Sequence, residues 1–421
     1  MIIVVCTRTT RFDVNDLPSL CLSRLPSRCI DTQVVFSLRD PALVFSFCLL
    51  SISLHCCVCW CSSFLSFPFY LHKMIVTITG AAGQVAYSLL AMIAAGELYG
   101  PETHVVLRLL DLEMALQVLE GVREELQDSV YPLLDGVEIT SDARAAFAGA
   151  DMVLMCGAFP RRQGMERQDL LQVNKAIFME QGAVLGEVAA PGCRVVVVGN
   201  PANTNALVLL HAAKGRIDPR HVTALTRLDH NRAAGLLAAR AGVHVRAVRN
   251  CIVWGNHNTT QVPDVTNATI DGRAAREAIA DEAFLDTTFP QQVRLRGQDI
   301  IRLRGKSAAL STGKAIIDHA RDWLAGTPEG VMVSMAVYSA GNPYGIPEDL
   351  IFSFPCTCKD GEWTIVPGLD VSTIQEGLRA TADERGGGEE AGGEPLARAR
   401  EARRYQVARL RRDKQLRAII T

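Results

Sequence analysis

From Met74 onward the sequence predicts an α/β fold, a doubly wound parallel sheet followed by a second, α+β domain. Two observations predict it. Short apolar runs at Ile75–Thr79, Val105–Leu110, Met152–Met155, Arg194–Val198 and Val222–Leu225 alternate with stretches of helical period such as Val85–Ala95 and Asp169–Val188. Strands covered on both faces read as continuous apolar runs, and a helix between each pair supplies the parallel crossover. Beyond about residue 228 the pattern changes to a long Ala-rich helix, then strands with Asn/Thr/Gly turns, a helical signal over Lys306–Leu324 and a hairpin region around Phe352–Val366. The expected organisation is therefore an atypical leader at 1–73, a nucleotide-binding domain at 74–227, a catalytic and substrate domain at 228–382 and a tail at 383–421.

The whole chain has 421 residues, 21% of them charged, and a formal net charge of -2, so no global field favours nucleic acid or an anionic membrane as a partner. Its mean hydropathy of +0.15 and 13 cysteines mislead, because residues 1–73 hold 8 of those cysteines and 7 of the 14 Phe. The other 5 cysteines are scattered at 156, 193, 251, 356 and 358, a pattern of reduced thiols and not of a disulfide framework.

Pro41–His72 is a run of 32 residues without Asp, Glu, Lys or Arg, preceded by Arg8, Arg11, Arg24, Arg28 and Arg39. Its length suits a membrane anchor, and the basic flank suits a targeting segment. The run is studded with Ser and Cys, however, and Met74 opens the first strand directly. The expectation is that Met74 is the start and that the leader is upstream sequence; targeting to an organelle and membrane anchoring are the alternatives. Cys56, Cys57, Cys59 and Cys61 are too crowded for a zinc site, and no metal is expected. The tail opens with Gly386–Gly388 and Gly392–Gly393, which predict disorder, and Leu396–Ile420 predicts a basic surface helix.

The first chemical constellation is a strand, a loop and a helix. Ile75–Thr79 runs into Gly80-Ala81-Ala82-Gly83-Gln84-Val85-Ala86. Gly80 permits a sharp turn, Gly83 permits backbone to approach a pyrophosphate, and the helix N-terminus offers N–H groups and the positive end of a dipole. The next strand ends in Asp111, whose carboxylate would accept bonds from ribose hydroxyls and repel a 2′-phosphate, favouring NAD over NADP. Together these features predict a Rossmann-type cofactor domain. No tyrosine has a lysine four residues on, which excludes the short-chain reductase arrangement.

Three further motifs sit where strand ends face such a cofactor. Phe159-Pro160-Arg161-Arg162-Gln163-Gly164-Met165-Glu166-Arg167 reads as a cationic lid closing over an anion. Val195–Val198 leads into Gly199-Asn200-Pro201-Ala202-Asn203-Thr204-Asn205, in which the proline holds Asn200 extended. Asp229-His230-Asn231-Arg232 at a helix start and Trp254-Gly255-Asn256-His257 after a strand supply a carboxylate and two candidate bases, between which composition does not choose.

Jointly, TGAAGQVAYSLL, GAFPRRQGMERQDLL, VVVGNPANTN, TRLDHNRA, IVWGNHNTTQVPDV and SMAVYSAGNPYGIPEDLIFSFP resemble the lactate/malate dehydrogenase family, in its cytosolic malate type, from about Met74 to about Thr381. The resemblance implies an NAD-dependent malate dehydrogenase. It implies His257 as the proton donor and acceptor, Asp229 as its partner and Arg232 on the substrate's C1 carboxylate. Arg167 would polarise the C2 carbonyl and Arg161 bind the distal carboxylate. Asn200 would touch substrate and nicotinamide, while Gly80, Gly83, Gln84, Asp111, Asn174 and Gln181 would lie on the cofactor side. A homodimer in the cytoplasm with a small-molecule substrate is implied as well. An arginine at position 161 favours a dicarboxylate over lactate-like or aromatic 2-oxo acids. The alternatives are a dehydrogenase for those acids, or an idle NAD-binding or membrane-tethered interaction protein. The departures from the family are the leader and the Gly/Arg-rich stretch after Thr381.

Overall fold

A computed structural model describes residues 73–159 and 167–383, with the backbone alone described for 167–171. The expectations for the leader, for Arg161 and its neighbours in the lid, and for the tail from residue 384 lie outside the described residues.

The nucleotide-binding part runs β1 (Met74–Thr79), α1 (Gln84–Ala94), β2 (Val105–Leu110), α2 (Leu116–Asp128), β3 (Leu134–Thr140), α3 (Ala143–Phe147), β4 (Met152–Met155), α4 (Arg167–Val188), β5 (Arg194–Val197), α5 (Ala202–Ala212) and β6 (Val222–Ala224). The rest runs α6 (Arg227–Ala241), β7 (Val248–Arg249), β8 (Ile252–Trp254), β9 (Val262–Asp264), β10 (Thr269–Ile270), β11 (Arg273–Ala274), α7 (Ala275–Ile279), α8 (Phe289–Arg304), α9 (Leu310–Ala325), β12 (Val333–Tyr338), β13 (Ile351–Lys359), β14 (Glu362–Ile365) and α10 (Gln375–Asp383).

Among the described residues the main sheet has the order β14-β13-β12-β6-β5-β4-β1-β2-β3. Strands β1 to β6 pair in parallel, and the order reverses between β1 and β4, which opens a crevice at their carboxyl ends. Successive side chains of a strand point to opposite faces, and the burial obeys this. Val76, Ile78, Met152, Leu154 and Val196 pack with α1 and α9, while Val153, Met155, Val195 and Val197 pack with Phe178 of α4 and Leu209 of α5. Both faces are thus covered, as the apolar runs predict.

The change of pattern at residue 228 marks α6 but does not divide the sheet. Strands β12, β13 and β14 return to its edge antiparallel, β12 against β6. The hairpin β13–β14 closes over Asp360-Gly361, both at positive φ, the two-residue turn whose twist suits paired strands. A separate apolar cluster, including Leu237 of α6, Val253 of β8 and Phe289 and Val293 of α8, forms the second core. The five cysteines after residue 74 are free thiols in the structure. No helix among the described residues is long and apolar enough to cross a membrane.

Candidate active site

The glycine loop is built as its sequence requires. Gly80 has φ +63, and a Cβ there would come within 2.5 Å of Gly157 Cα, so the turn after β1 and the end of β4 meet backbone to backbone. The Gly157 N–H donates to Thr79 Oγ1 at 3.0 Å and locks that approach. A Cβ on Gly83 would lie 3.0 Å from the Gly80 carbonyl oxygen. Gly83 opens α1 with no side chain over the first turn, which leaves N–H groups and the dipole end to an anion. Asp111 follows β2, with one carboxylate oxygen accepting from Ala82 N at 2.9 Å and the other from Leu112 N at 2.7 Å. The carboxylate expected to read the ribose is therefore tied to the glycine loop. Gln84 lies exposed at the first position of the helix. This cradle fits a dinucleotide.

Asn174 and Gln181 occupy the same face of α4, two turns apart. Asn174 is fully buried, and its amide is committed: Oδ1 accepts from Phe159 N at 2.7 Å, while Nδ2 donates to the carbonyls of Phe159 and Asn200 at 3.3 and 3.0 Å. It holds Phe159 to the Asn200 loop. The Gln181 side-chain oxygen is buried and unpartnered among the described residues, so its cofactor role rests on the resemblance. Asn200 is exposed and precedes Pro201 through a cis bond, and Asn205 Nδ2 holds the adjacent Gly199 carbonyl at 2.9 Å.

The candidate acid/base pair comes from two elements. Asp229, in the first turn of α6, has no exposed surface, and His257 follows β8. His257 Nδ1 is hydrogen-bonded to Asp229 Oδ2. The other oxygen accepts from Arg232 Nη1 at 3.0 Å, one turn along the helix. Burial pushes the Asp229 carboxyl up, but the charge and hydrogen bond of His257, the charge of Arg232 and a bond from the Gln261 side chain together hold it below the ordinary carboxylate range. With Nδ1–H fixed on this carboxylate, Nε2 carries the free lone pair of the neutral ring.

Arg232 is spent only in part on Asp229. Its Nε is buried without a hydrogen-bond partner among the described residues. A guanidinium has five N–H donors, and an unmet buried donor costs about 1–3 kcal/mol, so the arrangement suits an incoming carboxylate. Arg161 lies outside the described residues. Arg167 begins α4, and its side chain lies outside them too.

The structure separates the two candidate histidines. His230 turns its Nδ1 to the Ser334 hydroxyl at 3.1 Å, and burial, helped by the charge of Arg227, pushes its pKa down to about 3. It is a neutral packing group. Sequence reasoning missed the residues that set the His257 loop. Asn203 Oδ1 accepts from His257 N at 3.0 Å, and the Ser353 backbone pairs with Gly255 in both directions at 3.0–3.1 Å. Asn203 lies within the quoted GNPANTN motif, but nothing local says that it faces a loop 54 positions away. Among the described residues no group of three His, Cys, Asp or Glu is placed to hold a metal ion.

The chain is similar to known proteins over both parts of the fold. The family model described as lactate/malate dehydrogenase, NAD binding domain, matches residues 74–222, and that of the lactate/malate dehydrogenase alpha/beta C-terminal domain matches 226–384. A malate dehydrogenase of Nicotiana tabacum is 48% identical over 314 residues, 73% of this chain and 94% of that protein. The crystal structure of a Naegleria fowleri malate dehydrogenase superposes with a TM-score of 0.71 at 39% identity, covering 74% of this chain and 95% of that one. A Trichomonas vaginalis lactate dehydrogenase in complex with NADH and oxamate gives 0.71 at 38%, covering 74% and 96%.

Proposed function

Because the chain belongs to the lactate/malate dehydrogenase family, NAD-dependent oxidoreductases, we propose that it interconverts L-malate and oxaloacetate. The observation that carries the reading is the buried Asp229 carboxylate shared between His257 and Arg232, a base and an anion-binding group fixed to one another. NAD, held by the Gly80–Gly83 loop and Asp111, would supply the hydride acceptor for C2 of malate. His257 Nε2 takes the C2 hydroxyl proton as the hydride leaves, and Asp229 stabilises the imidazolium that results. In the reverse direction the same imidazolium returns the proton to the carbonyl oxygen. Arg232 holds the C1 carboxylate and so fixes which face of C2 is presented.

In this reading Arg167 polarises the C2 carbonyl and Arg161 pairs with the distal carboxylate, roles supported by their positions in the GAFPRRQGMERQDLL motif. Asn200 orients the substrate against the nicotinamide side. Closing the lid expels water and strengthens each of these charge interactions. The homodimer and the cytoplasm as compartment belong to the same proposal, supported by the likeness to the cytosolic malate type.

The competing reading is a lactate-type substrate, which the 38% identity to the Trichomonas vaginalis enzyme favours. The test is NADH oxidation with oxaloacetate, pyruvate and phenylpyruvate side by side. Oxaloacetate should be reduced at least a hundred-fold more efficiently; comparable turnover of either of the others would overturn the substrate assignment. Sedimentation of the purified chain and imaging of a C-terminally tagged full chain test assembly and compartment.

A further inference from the structure

We propose that Thr381, on helix α10, is a positioning residue for His257, clamping the backbone of the preceding Asn256 so that the imidazole stands on Asp229. The proposal rests on the reading of His257 as the acid/base group. Three consecutive residues carry that ring: Gly255, Asn256 and His257. Each is held by a different element. Ser353 of β13 pairs with Gly255, and Asn203 of α5 accepts the His257 N–H. Thr381 serves Asn256 twice. Its hydroxyl accepts from Asn256 N at 3.0 Å and its carbonyl from Asn256 Nδ2 at 2.6 Å, across 125 positions of sequence.

Several features mark this contact as built. Thr381 has no exposed surface, and a hydroxyl in such a place is unfavourable unless it is hydrogen-bonded. Thr260 Oγ1 lies 3.2 Å from the same hydroxyl, on the far side of the loop. Gly255 has φ +92, and a Cβ on it would lie 2.5 Å from both Thr381 Oγ1 and Cγ2, so the loop and the threonine interlock without room between them. The helix itself is seated on the core by Leu378 and Ala382, and Gly377 brings it against Val262 of β9. Residues 378, 381 and 382 form one face of α10, apolar but for this single hydroxyl. Apolar packing alone would be served by valine. What threonine adds is an acceptor aimed at the residue before His257.

Displacing a reacting group by about 1 Å is enough to lose on the order of a hundred-fold in rate. The test compares Thr381→Val, which keeps the branched shape, with Thr381→Ser, which keeps the hydroxyl, in the full chain. Expected for Thr381→Val is a fall in kcat of about ten-fold or more, with the NADH dissociation constant, followed by fluorescence, within two-fold of the parent. Thr381→Ser should recover kcat to within about three-fold. The proton resonance of the His257 Nδ1–H bonded to Asp229, read by NMR without substrate, should move in Thr381→Val and return in Thr381→Ser. An unmoved resonance in Thr381→Val, or a serine variant as impaired as the valine one, would overturn the proposal. If the parent itself fails to reduce oxaloacetate, the substrate reading falls, while the resonance still decides the role of Thr381.

Discussion

His257 and Asp229 are joined through Nδ1 and a carboxylate that no solvent reaches, 28 positions apart in sequence and contributed by β8's trailing loop and the first turn of α6. A buried carboxylate fixed in this way selects the ring tautomer with a free Nε2 lone pair and stabilises the imidazolium once a proton arrives. Removing the acid/base nitrogen should therefore stop chemistry without emptying the cofactor site. His257→Asn is expected to lower kcat by about a hundred-fold to ten-thousand-fold while NADH fluorescence titrations stay within a few-fold of the parent. Asp229→Asn should cost a comparable factor, since an amide can present its N–H to Nδ1 and favour the wrong tautomer.

The buried histidines make the fold acid-sensitive above the carboxylate range. His319 is fully buried with Nε2 near the Thr223 hydroxyl at 2.9 Å, and burial, then the charge of Arg227, pushes it down to about 3, as in His230. Between pH 6.5 and about 3 the unfolded chain binds protons at these rings that the folded chain refuses. Stability therefore rises with pH across that window and is lost as the pH falls through it, by up to about 1.4 kcal/mol per pH unit for each ring. Asp229, held below its ordinary value of 3.8, adds a further loss once the pH drops below that value. Urea unfolding at pH 7.5 and 5.0 checks this. The parent should lose markedly more stability between the two than His319→Gln, and equal losses would refute the assignment.

Gly80 offers a steric test of the cofactor cradle. Its φ of +63 disfavours any other residue, and the added methyl would meet Gly157 Cα at 2.5 Å. Backbone on both sides leaves no flexible atom to give way. Gly80→Ala is expected to lower NADH affinity by ten-fold or more and to destabilise the fold by about 1–3 kcal/mol. Isothermal titration with NADH and thermal unfolding would measure the two effects.

Much of this fold was legible because burial on both faces forces apolar runs. Strands β1, β2 and β4 fall within one residue of the runs that predict them. Strand β3 was not legible: it lies at the sheet edge, carries Asp135 and Glu138, and has no fully buried residue. Strand β12 joins β6 through Ala336 and Ala224, 112 positions apart, a pairing no local pattern reveals. The same division holds at the site. The motif residues Asp229 and His257 could be named from their types and the resemblance, whereas residue types alone do not separate His230 from His257; their partners in the fold, Ser334 for one and Asp229 for the other, do. Asn203 and Thr381 act through backbone contacts made at long range, and neither residue type in isolation signals that.

Asp111 has two tasks that a substitution should separate. One oxygen bonds the Ala82 N–H inside the glycine loop, and in the proposed reading the carboxylate as a whole would repel a 2′-phosphate. Asp111→Ser should raise the NADPH/NADH ratio of kcat/KM by at least ten-fold, because the repulsion is gone. It should also weaken NADH binding, because the loop loses its tether. Improved NADPH use with unaltered NADH affinity would show that the tether carries no weight.

In the proposed function Arg161 is the residue that would decide between the two substrate readings. A guanidinium brought into a closed, dry site without a carboxylate partner costs roughly 3–5 kcal/mol, a factor of a hundred or more in rate against a monocarboxylate. Replacing it by an uncharged residue removes both the attraction for the distal carboxylate and the penalty for lacking one. Arg161→Gln is therefore expected to depress kcat/KM for oxaloacetate by about a hundred-fold and to leave pyruvate reduction equal or improved. The ratio of the two, measured on one enzyme preparation, cancels any loss of folded protein. An unchanged ratio would mean that some other group reads the second carboxylate.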